Sequence, residues 1–468
     1  MAERTAAPRV AARPVAAGRR VLAPLALAQF ICSFAGSNMN VMINDISADL
    51  NTTVQGVQLV ITLFLLVMAA LMIPGGRLTD IVGRQWCLRT GLMIFGAGAV
   101  ISAVAPSLGV LILGNSILEG VGTALLIPSV YILTTLLFTE TAARARAFGM
   151  IMAAGGVGAA AGPLLGGLIT SAWSWRAAFA FQALIVALVL VLSRSVTDPL
   201  PADPQRPFDV VGAVQSAAGL TLVVMGVLAA SHSLTLTVAL LVAGVLVLAW
   251  FLHRARVEEA AGREPLLSIS LFHSRVANLG MITQNLQWLV LMGTSFTVAA
   301  YLQVVRGYDA IETGLIFTSA TVGMLATSLA AARFARRHPP RTLIMTGFGL
   351  TAAGTVILIA LGGTFSNPWA SAPGLLTSGI GIGMMLTPSV TVVQSAFPEQ
   401  RQGEISGLSR SVSNLGSSLG TAIAGTILVA GLTTHAYAAA LVTLVVLAVA
   451  GLACAALLPR PEHASTTP

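Results

Sequence analysis

The chain has 468 residues, of which 56% are hydrophobic and 9% charged, and its mean hydropathy is +0.87. Soluble domains carry roughly 25% charged residues, so this deficit argues against a soluble globular protein and for a polytopic membrane protein. The formal charge is +8 and every basic residue is arginine. Those arginines recur between apolar runs rather than clustering on one patch, which argues against nucleic-acid binding.

In chain order, residues 1–20 form an Arg-rich tail (Arg4, Arg9, Arg13, Arg19, Arg20). The following apolar run is long, carries Asn38, Asn40 and Asn44, and shows no clear cleavage site, so an uncleaved helix is expected rather than a signal peptide. Windows of about 20 apolar residues predict fourteen spans. They cover 21–44, 57–75, 88–105, 108–137, 147–171, 177–192, 210–230, 234–252, 277–303, 313–332, 343–361, 370–393, 405–428 and 436–458.

The segments divide the chain into a six-helix bundle at 21–195, a linker at 196–208, an inserted helix pair at 209–253, a connecting segment at 254–276, a second six-helix bundle at 277–458 and a tail at 459–468. The linker is polar and Pro-rich (Pro199, Pro201, Pro204, Pro207) and reads as a semi-rigid spacer. The connecting segment opens with Arg254, Arg256, Glu258 and Glu259 and continues with Leu266, Leu267, Ile269 and Leu271, as expected of a surface-lying stretch packed under the bundle.

Arginine placement orients the chain. With the N-terminus cytoplasmic, Arg77, Arg84, Arg89, Arg144, Arg146, Arg194, Arg254, Arg256, Arg333, Arg336, Arg337 and Arg341 all fall inside, and Arg176 and Arg306 are the exceptions outside. By the positive-inside rule both termini are expected in the cytoplasm, which fits an even number of spans in a bacterial inner membrane.

Two motifs stand out. The loop after the second span reads GRLTDIVGR from Gly76 to Arg84. There Gly76 and Gly83 permit a tight turn, and Asp80 has the chemistry to accept from backbone N–H groups at a helix start or to pair with Arg84. In the fifth span Ala154, Gly158, Gly162 and Gly166 recur every four residues, a small-residue stripe for close helix contact, with Pro163 bending the helix. GIGIG at 379–383 has no preceding strand and is not a nucleotide loop.

These motifs, with the inserted helix pair, resemble the major facilitator superfamily, in particular its fourteen-span drug:proton antiporter branch. The matching residues are Gly76, Leu78, Asp80, Gly83 and Arg84 in the loop and Gly162, Pro163, Gly166 and Gly167 in the fifth span. The resemblance implies an all-α polytopic membrane protein with two six-helix bundles and 14 transmembrane helices, gating roles for the loop and fifth-span residues, and export by alternating access. It also exposes a departure. The fourth span carries Asn115 and Glu119 where the family usually has Arg and Gln, and the first span lacks the family's acid at about Ala35.

Glu119 lies roughly 16 Å into its span if the helix begins near Leu108. A charge at the bilayer centre costs at least ~2.5 kcal/mol, so an acid there is a functional candidate. Asn115 and Thr123 share its face at i±4. Hydrocarbon disfavours a naked carboxylate, so Glu119 is a group that could take up and release a proton as access alternates; the bland alternative is a permanently neutral acid bonding its neighbours.

Other midspan polar residues expected at a substrate cavity are Asn38, Thr123, Gln182, Gln284, Asn285, Gln287 and Asn414, with Trp288 and Phe296 as aromatic surface. Arg410, near a helix start, is expected to snorkel to the interface rather than bind substrate, and Asp45 and Asp49 to be solvated at the outer rim, with an entry site for cations as the alternative. The cysteines (Cys32, Cys87, Cys454) and the six histidines show no ligand spacing, so no metal or cofactor is expected. The absence of a Walker-type loop and of a hydrolytic triad argues against an enzyme.

The expected function is secondary active efflux of hydrophobic or cationic small molecules by proton antiport, from a monomer whose partners are substrate, protons and membrane lipids. The alternatives are a dedicated exporter of an endogenous lipid or metabolite, possibly not proton-coupled, and, from a different class, a non-transporting membrane sensor or scaffold.

Overall fold

The computed structural model describes residues 15–138, 140–199, 202–203, 207–231, 233–362, 367–397 and 402–459. Most of the N-terminal tail, parts of the linker, Arg206, Arg401, His232, His463 and the C-terminal tail lie outside the described residues.

Among the described residues, fourteen helices are long and apolar enough to cross a membrane. In chain order they are α1 (Arg20–Val41), α2 (Val54–Val82), α3 (Arg84–Ala103), α4 (Leu108–Leu137), α5 (Arg146–Ala172), α6 (Trp175–Ser195), α7 (Val210–Leu228), α8 (Leu234–Ala260), α9 (Arg275–Val305), α10 (Ala310–Ala331), α11 (Pro340–Leu361), α12 (Trp369–Gln394), α13 (Glu404–Val429) and α14 (Thr434–Ala456). The chain is thus an all-helical, multi-pass membrane protein.

Local chemistry sets where these helices begin. Thr53, Ser233, Ser274 and Thr433 each accept a backbone N–H three residues on, and Asp309 and Glu312 form a reciprocal capping box at the start of α10. The first span is shorter as an α-helix than its apolar run. α-Helical geometry ends at Asn38, a 3₁₀ turn takes Met39–Val41, and a short helix Ile43–Asp49 follows. The Asn40 carbonyl is spent instead on the Gln303 side chain at 2.7 Å. α8 runs beyond Leu252 to Ala260, supported by an i,i+4 pair between Arg254 and Glu258 at 2.5 Å.

The two halves, α1–α6 and α9–α14, meet along two helix pairs, α5 with α10 and α2 with α13. Across the second pair, Gln58 Nε2 donates to the carbonyls of Thr421 and Ala422 at 3.1 and 3.2 Å, and Ser418 Oγ donates to the Thr62 carbonyl at 3.0 Å. In hydrocarbon such side-chain donors have only protein to bond with, so they pin the seam. α7 of the inserted pair covers that seam by packing on both α2 and α13, while α8 packs on α7 and turns Val242, Val245, Leu246 and Trp250 outward.

Carboxylates fasten the arginine-rich face. Asp80 pairs with Arg84 at 2.6 Å, and the N–H at the start of α3, that of Arg84, donates to Asp198 of the linker at 2.7 Å. The helix-start acceptor is therefore Asp198, while Asp80 takes the arginine. Gly83 between them has φ +102°, a conformation that strains any residue with a Cβ. Asp209 caps α7 through Gly212 N–H at 2.8 Å and also accepts from Arg254 at 2.6 Å and Leu266 N–H at 3.3 Å. Burial pushes its carboxyl up, but these hydrogen bonds outweigh it and hold it below the usual carboxylate range.

A carboxyl held low in the fold stabilises at pH above its unfolded value, and that contribution is lost as pH falls through the folded one. Asp209→Asn should therefore lower the melting temperature at neutral pH and flatten its fall in acid, read by thermal unfolding in detergent. Gly83→Ala should cost about 1–2 kcal/mol in the same assay.

Candidate functional site

A cavity of about 1570 Å³ lies between the two halves. Its wall runs from midspan positions on α1, α9, α10 and α12 to Arg77, Asp80, Arg263 and Glu404, so it opens on the arginine-rich face. The opposite face is closed. There Gln303 Nε2 donates to Asn40, Asn44 N–H donates to Gln303 Oε1 at 3.2 Å, and Ile311 N–H donates to Ser171 Oγ at 3.1 Å. Beside this seal Asp49 accepts from Trp175 Nε1 at 3.0 Å and pairs with Arg176, which holds its carboxyl below the usual range. Asp49 is thus engaged rather than simply solvated.

The fifth-span motif explains the closure. On one side of α5, a Cβ added at Gly158 would meet the Phe30 carbonyl at 2.2 Å, and one at Gly162 would meet Ser37 Oγ at 1.9 Å; Gly166 sits against Asn38. On the other side, a Cβ at Gly167 would fall 2.4 Å from the Ala310 carbonyl, and Gly314 of α10 approaches the Pro163 carbonyl as closely. Small residues let α5 touch α1 and α10 at once, within one half and across the seam. Gly76, Asp80 and Pro163 themselves line the cavity.

Of the nine residues expected on the cavity wall, the structure places Gln284 and Trp288 there. With Leu291, Met292 and Ser295 they form one helical stripe of α9 facing the cavity. Neighbours one step around the helix turn away: Asn285 donates through Nδ2 to the Val412 carbonyl at 2.9 Å, and Gln287 is buried. Asn38, Thr123, Gln182 and Phe296 are fully buried between helices, and Asn414 buries its Nδ2 on α13. The side-chain amides of Asn38, Gln182 and Gln287 make no hydrogen bonds among the described residues.

The wall also contains groups that the sequence reading passed over. Gln29, Ser33 and Ser37 line it from α1, and their i, i+4, i+8 spacing in an apolar helix was the available signal. Tyr131 and Arg410 face each other across the cavity, from α4 and α13. Arg410 Nη2 donates to Tyr131 Oη with its guanidinium 5.4 Å from the ring centroid. Tyr131 Oη donates to Gln29 Oε1 at 3.3 Å, and Gln29 Nε2 to Ser33 Oγ at 3.1 Å. Arg410 therefore reaches inward rather than snorkelling.

Glu119 is outside the cavity wall. It is fully buried, as is Asn115 at 1% exposure, where α4 winds as a π-helix over Ile112–Glu119. Asn115 Nδ2 donates to Glu119 Oε2 at 3.2 Å, while Glu119 Oε1 and Asn115 Oδ1 have no partner among the described residues. Thr123 Oγ1 donates to the Glu119 backbone carbonyl at 2.8 Å. Close approach of α3 frames this stretch: a Cβ at Gly98 would meet the Gly114 carbonyl at 2.6 Å and Glu119 N at 2.9 Å. π-Segments inside α-helices frequently mark functional positions. Cys32 of α1 contacts Thr123 and lies within electrostatic range of both Glu119 and Arg410. Among the described residues no group of His, Cys, Asp and Glu is placed to hold a metal.

Gly167→Val should prise α5 from α10 and open the closed face. A membrane-impermeant thiol reagent applied to that face should then label a cysteine introduced at Thr294 in a background lacking the native cysteines. Protection equal to that of the Gly167 parent would contradict the packing argument.

Comparison with known proteins agrees with this geometry. The Major Facilitator Superfamily model matches residues 25–421. The puromycin resistance protein pur8 of Streptomyces alboniger is 30% identical over 405 residues, covering 86% of this chain and 80% of that protein. The cephamycin export protein CmcT of Amycolatopsis lactamdurans is 31% identical over 413 residues, covering 85% and 82%. The multidrug resistance protein Stp of Mycobacterium tuberculosis is 28% identical over 403 residues, covering 84% and 73%. A crystal structure of a peptide transporter POT in complex with alafosfalin superposes with a TM-score of 0.68 over 93% of this chain and 94% of that one, at 15% identity, which is a likeness of fold. With its motifs, its two halves and its fourteen spans, the chain belongs to the Major Facilitator Superfamily, a family of transporters rather than enzymes, and to its fourteen-span branch.

Proposed function

We propose that this protein is a proton-coupled exporter of amphipathic small molecules, including drugs and antibiotics, that works as a monomer in a bacterial inner membrane with both termini in the cytoplasm. The positive-inside distribution supports that orientation and makes the open mouth of the cavity cytoplasmic. Substrate enters from the cytoplasmic side, the halves rock about the α5–α10 and α2–α13 contacts, and the sealed face opens. The loop at Gly76, Asp80, Gly83 and Arg84 and the stripe at Gly162, Pro163, Gly166 and Gly167 are the gating elements, since they hold the two ends of that movement.

The observation that carries the coupling role is Glu119, fully buried beside Asn115 with Oε1 unpartnered. A proton on Oε1 would add the donor that the acid–amide pair lacks, whereas a bare carboxylate there must be offset by other groups or by hydration. Access that alternates between the two faces turns uptake and release of that proton into coupling. The chain is similar both to proteins named for multidrug resistance and to one named for export of a single antibiotic, so a dedicated exporter is the second reading.

Glu119→Gln keeps the shape and the hydrogen bond with Asn115 but carries no titratable proton. In proteoliposomes under an imposed pH gradient, the variant should bind rhodamine 123 as the parent does yet lose pH-driven movement of the dye. Undiminished pH-driven flux in Glu119→Gln would refute the coupling role.

A further inference from the structure

Of the charged side chains on the cavity's described wall, the one set deepest in its span is a cation, Arg410. The other charged wall residues sit nearer helix ends or in connections on the arginine-rich face, and Arg77, five residues from the end of α2, is paired with Glu264. Arg410 is the seventh residue of α13 and Tyr131 lies six residues from the end of α4, so both are roughly 9 Å below that face.

A guanidinium has five N–H donors, and Arg410 spends one on Tyr131 Oη. Among the described residues no carboxylate pairs with it. A cation this deep is costly unless something offsets it, and a planar carboxylate takes two parallel guanidinium N–H bonds. A second donor stands nearby in space. Ser409, adjacent to Arg410, donates to Gln284 Oε1 at 2.8 Å, so the Gln284 amide N–H₂, on the cavity wall, is left without an acceptor among the described residues. Apolar surface for the body of a ligand is supplied by Trp288, one turn from Gln284, and by Phe148, stacked on Tyr131 with ring centroids 5.9 Å apart.

We propose that Arg410, set on Tyr131 and flanked by Gln284, binds a carboxylate of an aromatic, amphipathic substrate and makes this cavity prefer acids to their esters. The inference rests on reading the cavity as the substrate site, and it narrows the charge class expected from the sequence, away from simple lipophilic cations. Tyr131 is a positioning residue: it holds the guanidinium by a hydrogen bond and by its ring face.

Rhodamine 110 and rhodamine 123 share one chromophore and differ in a single carboxylate, free in the first and methyl-esterified in the second. Binding of each to the full-length protein in nanodiscs is read by fluorescence anisotropy at neutral pH. A charge-assisted contact of this kind predicts at least about tenfold tighter binding of the acid. Arg410→Gln should erase the difference between the probes, and Arg410→Lys, which keeps the charge, should retain a preference for the acid. Equal affinities in the parent, a preference for the ester, absence of acid binding, or equal loss of both probes in Arg410→Gln would each overturn the proposal. Flux is read separately in inverted vesicles. Rhodamine 123 movement with no acid preference leaves the exporter standing and removes this inference, whereas selective acid binding without flux of either dye keeps the recognition site and removes the exporter.

Discussion

A polar group in hydrocarbon can bond only with protein, with ligand, or with the little water a cavity admits, and each unmatched one is expensive. That scarcity organises this molecule. Where the halves meet on α2 and α13, Gln58 and Ser418 donate to carbonyls of the facing helix, so the seam is fastened without charge. Where the protein keeps an ionisable group inside its spans with a single partner, as at Glu119 and Arg410, stability alone does not account for it. Glu119 belongs to the first half of the fold and Arg410 to the second, and both lie within electrostatic range of Cys32 on α1.

The second constraint is distance between backbones. α5 fits between α1 and α10 because Gly158, Gly162 and Gly167 put no Cβ in the way, and the same close approach recurs where α3 crosses α4 at Gly98 and Gly114. In the first case the result is a seal across the two halves. In the second it borders the stretch of π-helix that carries Asn115 and Glu119. Substitution of small residues would therefore alter both the gate and the geometry of the buried acid, by a steric route that leaves charge untouched.

On the arginine-rich face the connections are held by carboxylates rather than by apolar packing alone. Asp198 reaches from the linker to the start of α3, Asp209 gathers α7, α8 and the segment after it, and Glu404 accepts from Ser268 N–H at 2.9 Å. Beneath them Leu266, Leu267 and Leu271 pack with Phe251 and Ile405. Arg77 and Glu264 pair at the cavity mouth, so the loop of the Asp80 motif is tied to the same segment that borders the opening. Movement at this face must rearrange those pairs together.

Sequence alone determined the membrane class, the fourteen spans, the two motifs and the isolation of Glu119, because each is written in local composition: apolar length, small-residue spacing, or one acid amid hydrocarbon side chains. It also marked Gln284 and Trp288 for the cavity. It did not separate them from Asn285 and Gln287, because one residue is a rotation of about 100° around the helix, and only packing against α13 decides which face is left open. Tertiary structure alone decided that Asp198 rather than Asp80 serves the start of α3, that the cavity opens on the arginine-rich face, and that Arg410 meets Tyr131 instead of the interface. Those facts join residues 114 to 279 positions apart. The physical reason is that long-range partners are chosen by how helices rotate and pack, which no local pattern in the chain records.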